Sequence, residues 1–335
     1  MENAQTLASH NWKEIPPCYL QPEADDSFRI PVIDMSKLLD QQDPISYRDE
    51  LARLRSACQD WGFFQLINHG VPEEVVEKMK NDTEEFFMLP LEKKQAYAQL
   101  PNNIEGYWLA FVPEEQKLDL VDTLFLIPRP VSERNMRFWP MHPASFRESI
   151  DKYSWEMQKV TICLLNFMST NLGVNSEALT SAFEYGRQSI RLNFYPPCVE
   201  ADNVKGFPHS DASGLSLLVQ VNDVRGLQIK KNGKWLPVKP IPGAFIVNIG
   251  DMIEDDEQRG IQSIEHRVVM NSERPRLSIA VFQCPNMKTM VSPLTDLVKE
   301  NGAQYKSIRY EDYLRMVHQA SKLDGKSLID NMSAP

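Results

Sequence analysis

Between residues 191 and 284 the chain is a succession of short apolar runs broken by turn residues, and few folds accommodate that rhythm. The runs cover 215–221, 227–230, 235–238, 244–249, 266–270 and 277–284. Asn232-Gly233 sits between two of them. That pair suits a two-residue hairpin turn, whose central residues both take positive φ. The set predicts a small closed or double-layered β-barrel with a ligand in its mouth. Helical spacing dominates earlier: Leu51, Leu54 and Ala57 within 46–61, ending at Gly62 as a C-cap, then 72–87 and 91–98. The longest helix is predicted over 143–172, with Ile150, Tyr153, Met157, Val160, Leu164, Phe167 and Met168 on the face that backs the sheet. A short helix is predicted over 176–183, and early strands over 30–34 and 63–68.

Chemistry concentrates in the strand-rich part. His209 and Asp211, in G-F-P-H-S-D, are two apart, which in extended chain puts both side chains on one face. His266, in S-I-E-H-R-V, can supply a third ligand. Two histidines and a carboxylate on one side of a metal form the facial arrangement of non-haem Fe(II) oxygenases, which leaves positions open for substrates and dioxygen. Arg276 and Ser278 again share a strand face, and a guanidinium fork beside a hydroxyl suits the far carboxylate of a small dicarboxylic acid. His69, in N-H-G at a strand end, reads instead as a structural hydrogen-bonding histidine.

Composition narrows the partners. A chain of 335 residues, 42% hydrophobic and without a Gly/Ser linker or low-complexity tract, can bury one large core. A net charge of −10 argues against nucleic acid or an anionic membrane as partner, since both select for basic patches. There is no apolar leader-like stretch near Met1 and no run of about 18 apolar residues later, so a cytoplasmic protein is expected. The five cysteines are odd in number with no C-x-x-C, which fits unpaired thiols in a reducing compartment.

The order H-x-D, β-rich interval, second His, then R-x-S before an apolar strand resembles the plant 2-oxoglutarate/Fe(II)-dependent dioxygenases. That group holds flavonol synthase, anthocyanidin synthase, gibberellin oxidases and the poppy alkaloid O-demethylases. Asn193-Phe194-Tyr195-Pro196-Pro197-Cys198 is similar to the group's N-[YF]-Y-P-P-C signature, and the resemblance runs from about Ile30 to the closing 322–328 segment. It implies a double-stranded β-helix, or jelly roll, of α+β class with helices packed outside. The implied division is a mixed α/β region over 1–185, a jelly-roll core over 186–290 and a C-terminal helical segment over 291–335.

Further implications follow from the resemblance. His209, Asp211 and His266 would hold Fe(II); Asn193, Tyr195, Arg276 and Ser278 would hold 2-oxoglutarate; dioxygen is the oxidant and ascorbate the reductant. Trp108, Phe111, Phe125 and Phe282 are candidates for the substrate wall, and each also reads as an ordinary core aromatic. The implied activity is oxidation of a C–H bond in an aromatic or alkaloid-like small molecule, with release of succinate and carbon dioxide. Hydroxylation, O-demethylation, desaturation and ring closure all fit, and a monomer is implied. A zinc hydrolase or isomerase would leave Arg276 and Ser278 without a task, and a non-catalytic binding or defence-induced relative would not need the three ligands.

Two stretches depart from the group's pattern. The loop from 199 to 208 lacks the usual proline after Cys198, and the segment 254–260 is acidic where relatives carry apolar residues and an Asn-Gly turn. Asp255, Asp256 and Glu257 would either draw a cationic amine toward the metal or form a solvated turn.

Overall fold

The computed structural model describes residues 29–101, 103–109, 121–198, 206, 208–254, 261–291 and 308–320. The expected N-terminal arm, Phe111, Asp255, Asp256, Glu257, most of the 199–208 loop and the 322–328 tail lie outside them.

Thirteen strands are described: β1 (Val32–Asp34), β2 (Phe63–Ile67), β3 (Gly106–Leu109), β4 (Asp122–Arg129), β5 (Gln188–Tyr195), β6 (Leu215–Gln220), β7 (Leu227–Lys231), β8 (Lys234–Pro237), β9 (Phe245–Ile249), β10 (His266–Val268), β11 (Arg276–Gln283), β12 (Met290–Val291) and β13 (Ile308–Arg309). Eight of them form one sheet in the order β1-β2-β9-β6-β11-β5-β4-β3, and β10-β7-β8 form a smaller second layer. The predicted jelly roll with surrounding helices is therefore the fold. The large sheet draws strands from both sides of residue 185, with β1 and β2 at one end and β4 and β3 at the other.

The strand pattern explains where the layers sit. Ile190, Leu192 and Phe194 of β5, Leu277, Ile279 and Val281 of β11, and Leu217 and Val219 of β6 lie in one core cluster with Ile150, Tyr153, Met157, Leu164 and Met168. These last five belong to the long helix Phe146–Leu172, which backs the sheet as its apolar stripe predicts. The opposite face of the large sheet meets the small sheet through β2, β6 and β9. Phe63, Leu218 and Ile246 meet Leu227, Ile229 and Leu236 there and close one end of the space between the layers.

Local chemistry sets the element ends. Pro44 opens a helix at Asp43, whose carboxylate accepts from the Ser46 amide. That helix, Pro44–Ser56, passes into a wider turn at Ala57–Trp61 and stops at Gly62, whose φ of 59° is left-handed. A Cβ at Gly62 would lie 2.3 Å from the Gln262 carbonyl oxygen, so only glycine lets β2 begin there. Asn232 and Gly233 take φ of 50° and 76°, the turn that joins β7 to β8.

Several elements are shorter than the pattern predicts, the long helix beginning at Phe146 and β10 ending at Val268 among them. The first strand begins at Val32 and ends at Asp34, because the Asp34 carboxylate accepts from the Ser36 amide and starts a helix. The helix expected over 91–98 stops at Gln95, since the Tyr97 carbonyl and Gln99 amide pair with Tyr107 instead. No described helix is long and apolar enough to cross a membrane.

Candidate active site

His209, Asp211 and His266 meet between the two layers. His209 and His266 exchange both backbone hydrogen bonds, at 3.0 and 2.8 Å, so the segment before β6 is stitched to the edge of β10. Asp211, two residues on, falls on the same side. One ligand atom from each of the three lies within 4.8 Å of the others, and His266 Nε2 is 3.7 Å from Asp211 Oδ1. The imidazole rings are 4.4 Å apart, and Phe63 packs edge-on against His266.

The surroundings fix protonation. Burial and the neighbouring His209 pull the His266 imidazole down to about 4, so it is neutral at physiological pH. Its Nδ1 faces the Ile264 carbonyl at 3.2 Å, which holds the proton there and leaves the Nε2 lone pair toward Asp211. Burial alone would raise the Asp211 carboxyl. The His266 and His209 rings, with hydrogen bonds from Asn248 Nδ2 at 2.8 Å and Ser216 Oγ at 2.6 Å, outweigh it and hold the group below the ordinary carboxylate value. Two imidazoles and a carboxylate on one side of a gap are a donor set for a divalent cation.

A second group of polar residues lies along the same face. Register sets Arg276 opposite Tyr195, and Ser278 opposite Asn193 on one side and Gln220 on the other. Arg276 is 1% exposed, with its guanidinium 5.2 Å from the centre of the Tyr195 ring. Nη1 donates to Ser278 Oγ at 3.3 Å, while Nε and Nη2 are buried without a hydrogen-bond partner. A Cβ on Gly226 would lie 2.8 Å from Arg276 Cδ, so the missing side chain makes room for the arginine. A buried cation with two orphaned N–H groups is costly alone and is satisfied by a carboxylate entering from the cavity. Both the donor set and this arginine fit iron with a dicarboxylic acid.

The aromatic candidates divide. Phe282 stands opposite Ser216, which holds Asp211, and Phe125 stands opposite Arg191. Trp108 lies at the sheet's end, opposite Thr123 and 41% exposed. Phe111 is outside the described residues. His69 is apart from the cluster, with Nε2 at 2.9 Å from the Gly243 carbonyl and Nδ1 accepting from the Val71 amide, the structural role its position suggested.

Sequence reasoning missed the supports. Ser216 and Asn248 grip Asp211, and Asp251 donates its backbone N–H to the Asp211 carbonyl at 2.8 Å. The Asp251 carboxyl accepts from Tyr313 Oη at 2.7 Å and Ser263 Oγ at 2.7 Å, and its burial raises it above the ordinary value. Tyr310 Oη donates to the Ala212 carbonyl at 2.8 Å. Asn248 had a sequence signal, a lone amide in the apolar run F-I-V-N-I, whereas the two tyrosines had none.

Comparison with known proteins agrees with this geometry. A model described as the 2OG-Fe(II) oxygenase superfamily matches residues 186–285, and one described as the N-terminal part of non-haem dioxygenases in morphine synthesis matches residues 30–142. S-norcoclaurine synthase 1 of Coptis japonica is 55% identical over 99% of this chain and 96% of its own length. This chain belongs to the 2OG-Fe(II) oxygenase superfamily. Oxoglutarate-dependent flavonoid 7-O-demethylase 1 of Ocimum basilicum is 42% identical over 98% of this chain and 90% of its own length. The solved structure of JOX2 in complex with 2OG, Fe and JA superposes with a TM-score of 0.87 at 34% identity, covering 100% of this chain and 98% of that one. As a 2OG-Fe(II) oxygenase the protein is an oxidoreductase of the dioxygenase class, and that superfamily works with Fe(II) and 2-oxoglutarate.

Proposed function

We propose that this 2OG-Fe(II) oxygenase oxidises a C–H bond of an aromatic or alkaloid-like small molecule, by hydroxylation or O-demethylation, with His209, Asp211 and His266 as the iron ligands. The observation that carries the reading is Arg276, fully buried beside Ser278 with two nitrogens unpaired, on the face shared with the triad. Bound Fe(II) with 2-oxoglutarate and dioxygen supplies oxidative decarboxylation to succinate and carbon dioxide, coupled to oxidation of the organic substrate.

The chain's own residues orient that chemistry. Arg276 and Ser278 hold the far carboxylate of 2-oxoglutarate, and Asn193 and Tyr195 complete its cradle. Thr123 Oγ1 donates to Asn193 Oδ1 at 3.2 Å, so the amide's Nδ2 is turned toward Ser278. Ser216 and Asn248 engage one oxygen of Asp211, which leaves Oδ1 for the metal. Phe63 shields His266 from water. Phe125 and Phe282 offer ring faces to a planar substrate, with Trp108 at the rim, which fits relatives named for S-norcoclaurine synthesis and flavonoid 7-O-demethylation. Ascorbate serves as reductant. The protein acts as a monomer in the cytoplasm, a reducing compartment that suits the free thiols Cys58, Cys163, Cys198 and Cys284.

A panel of methoxylated flavonoids and alkaloids, incubated in air with the Fe(II)-loaded protein, 2-oxoglutarate and ascorbate, tests the reading. Formaldehyde formed in step with succinate assigns O-demethylation, and hydroxylated product without formaldehyde assigns hydroxylation. Succinate that no panel member stimulates would count against this substrate class.

A further inference from the structure

The two segments that supply the triad meet a third part of the chain at a single carboxylate. Asp251, in the short turn Asp251–Ile253 after β9, is 5% exposed. Its backbone runs along the segment that carries His209 and Asp211. The Asp251 N–H donates to the Asp211 carbonyl at 2.8 Å, Met252 to Ser213 at 3.0 Å and Gly250 to Gly214 at 2.8 Å. The side chain reaches elsewhere. Oδ1 accepts from Oγ of Ser263, just upstream of His266, and Oδ2 accepts from Oη of Tyr313, both at 2.7 Å. The Ser210 side chain, between His209 and Asp211, hydrogen-bonds to the same carboxyl.

Hydroxyls answer this buried acid, and no basic side chain pairs with it among the described residues. A buried acceptor that loses one of so few donors keeps the full cost of its desolvation. Tyr313 belongs to the helix Tyr310–Ala320, and both Tyr310 and Tyr313 are 1% exposed. Their rings pack with Cys284, Ala212, Met252 and Phe282. The start of the helix is held by the β12–β13 pair and by the Tyr310 amide, which donates to the Thr289 carbonyl at 3.0 Å. The helix therefore meets the triad's segments in a fixed pose. One hydroxyl, from Tyr310, is on the Ala212 carbonyl beside Asp211, and the other is on the carboxylate that also holds Ser263.

We propose that Tyr313, acting through Asp251, is a positioning residue for the metal ligands, so that docking of the C-terminal helix and Fe(II) binding are coupled. This rests on His209, Asp211 and His266 as the iron ligands. Three ligands from two segments hold a cation only at one mutual spacing, and the hydrogen bonds behind them set it. With the Tyr313 hydroxyl in place, Asp251 draws Ser210 and Ser263 to one point. Without it, both segments gain freedom next to a ligand. The coupling is reciprocal: the factor by which helix docking raises metal affinity is the factor by which bound metal favours docking.

The full chain, stripped of metal, is titrated anaerobically with Fe(II) as wild type, Tyr313→Phe, Asp251→Asn, the double variant and Ser149→Ala. Tyr313→Phe keeps the ring and removes only the hydroxyl. Ser149→Ala removes a hydroxyl from another buried carboxylate, Asp82, in the contact between the helices Glu73–Met88 and Phe146–Leu172. Tyr313→Phe is expected to weaken Fe(II) binding about tenfold. The double variant binds no more weakly than Asp251→Asn, and Ser149→Ala binds as wild type does. Amide hydrogen exchange reads the same coupling in reverse and needs no variant: Fe(II) slows exchange across Tyr310–Ala320 in wild type about fivefold or more. Unchanged Fe(II) affinity in Tyr313→Phe, additive losses in the double variant, or helix exchange that Fe(II) leaves unaltered overturns the proposal. So does an equal loss in Ser149→Ala, because general destabilisation would then explain both. His209→Ala separates the two readings. If it loses Fe(II) while Tyr313→Phe does not, only the coupling fails; if wild type binds no Fe(II), or His209→Ala binds it unchanged, the ligand assignment fails and the coupling with it.

Discussion

Arg276 and Asn248 carry opposite kinds of work, and substitution separates them. Arg276 is a buried ion with two unpaired nitrogens, so Arg276→Met should leave the melting temperature of the ligand-free protein unchanged or higher. The same change should weaken 2-oxoglutarate about 30-fold or more, the loss of a charge-assisted pair worth about 2–3 kcal/mol. A drop in melting temperature with unchanged 2-oxoglutarate affinity would show that the arginine is structural. Asn248 holds Asp211 at 2.8 Å, so Asn248→Leu should lower Fe(II) affinity by about 10–100-fold in a metal titration. His266 adds a pH dependence. Its imidazole falls from 6.5 to about 4 on folding, so between those values the unfolded chain binds a proton that the native chain refuses. Stability of the metal-free protein therefore declines as pH falls from 6.5 toward 4, and the loss is absent above 6.5. Thermal melts of wild type and His266→Gln through that window check it, and an unchanged slope in the variant would rule the group out.

Elements explain how these residues reach their places. β10 and β7 pair with His266 opposite Ile229, and the Gly226 position just before β7 passes against Arg276 and the Val269 carbonyl. A methyl there would lie 2.6 Å from that carbonyl oxygen, so Gly226→Ala should displace Arg276 and weaken 2-oxoglutarate about tenfold, with iron affinity retained. Loss of iron and cosubstrate together would instead mean that the small sheet had come apart. At this scale much was legible in the sequence. The apolar run of β11, the Asn232-Gly233 turn and the apolar stripe of Phe146–Leu172 are local signals with one reading each. The C-terminal helix Tyr310–Ala320 was foreseen only as a helical segment. Its docking through Tyr310 to Ala212 and Tyr313 to Asp251 joins residues far apart in the chain, and neither tyrosine sits in a pattern that marks its partner.

Across the whole molecule the triad and the arginine were legible because a metal and a dicarboxylate demand scarce residue types at fixed spacing. Ser216 was not, because a serine inside an apolar run reads as ordinary strand until the fold sets it against the Asp211 carboxylate. The same distinction separates the proposed iron site, which strand register assembles, from substrate choice, which local spacing does not encode. One titration addresses the iron and cosubstrate site directly: 2-oxoglutarate added anaerobically to the Fe(II)-loaded protein, for wild type and His209→Ala. Wild type should bind one Fe(II) and one 2-oxoglutarate per chain, and His209→Ala should lose the iron and with it the tight cosubstrate binding. Wild-type protein that holds Fe(II) without binding 2-oxoglutarate, or a His209→Ala variant that binds both as wild type does, would contradict an oxygenase site built on His209, Asp211, His266 and Arg276.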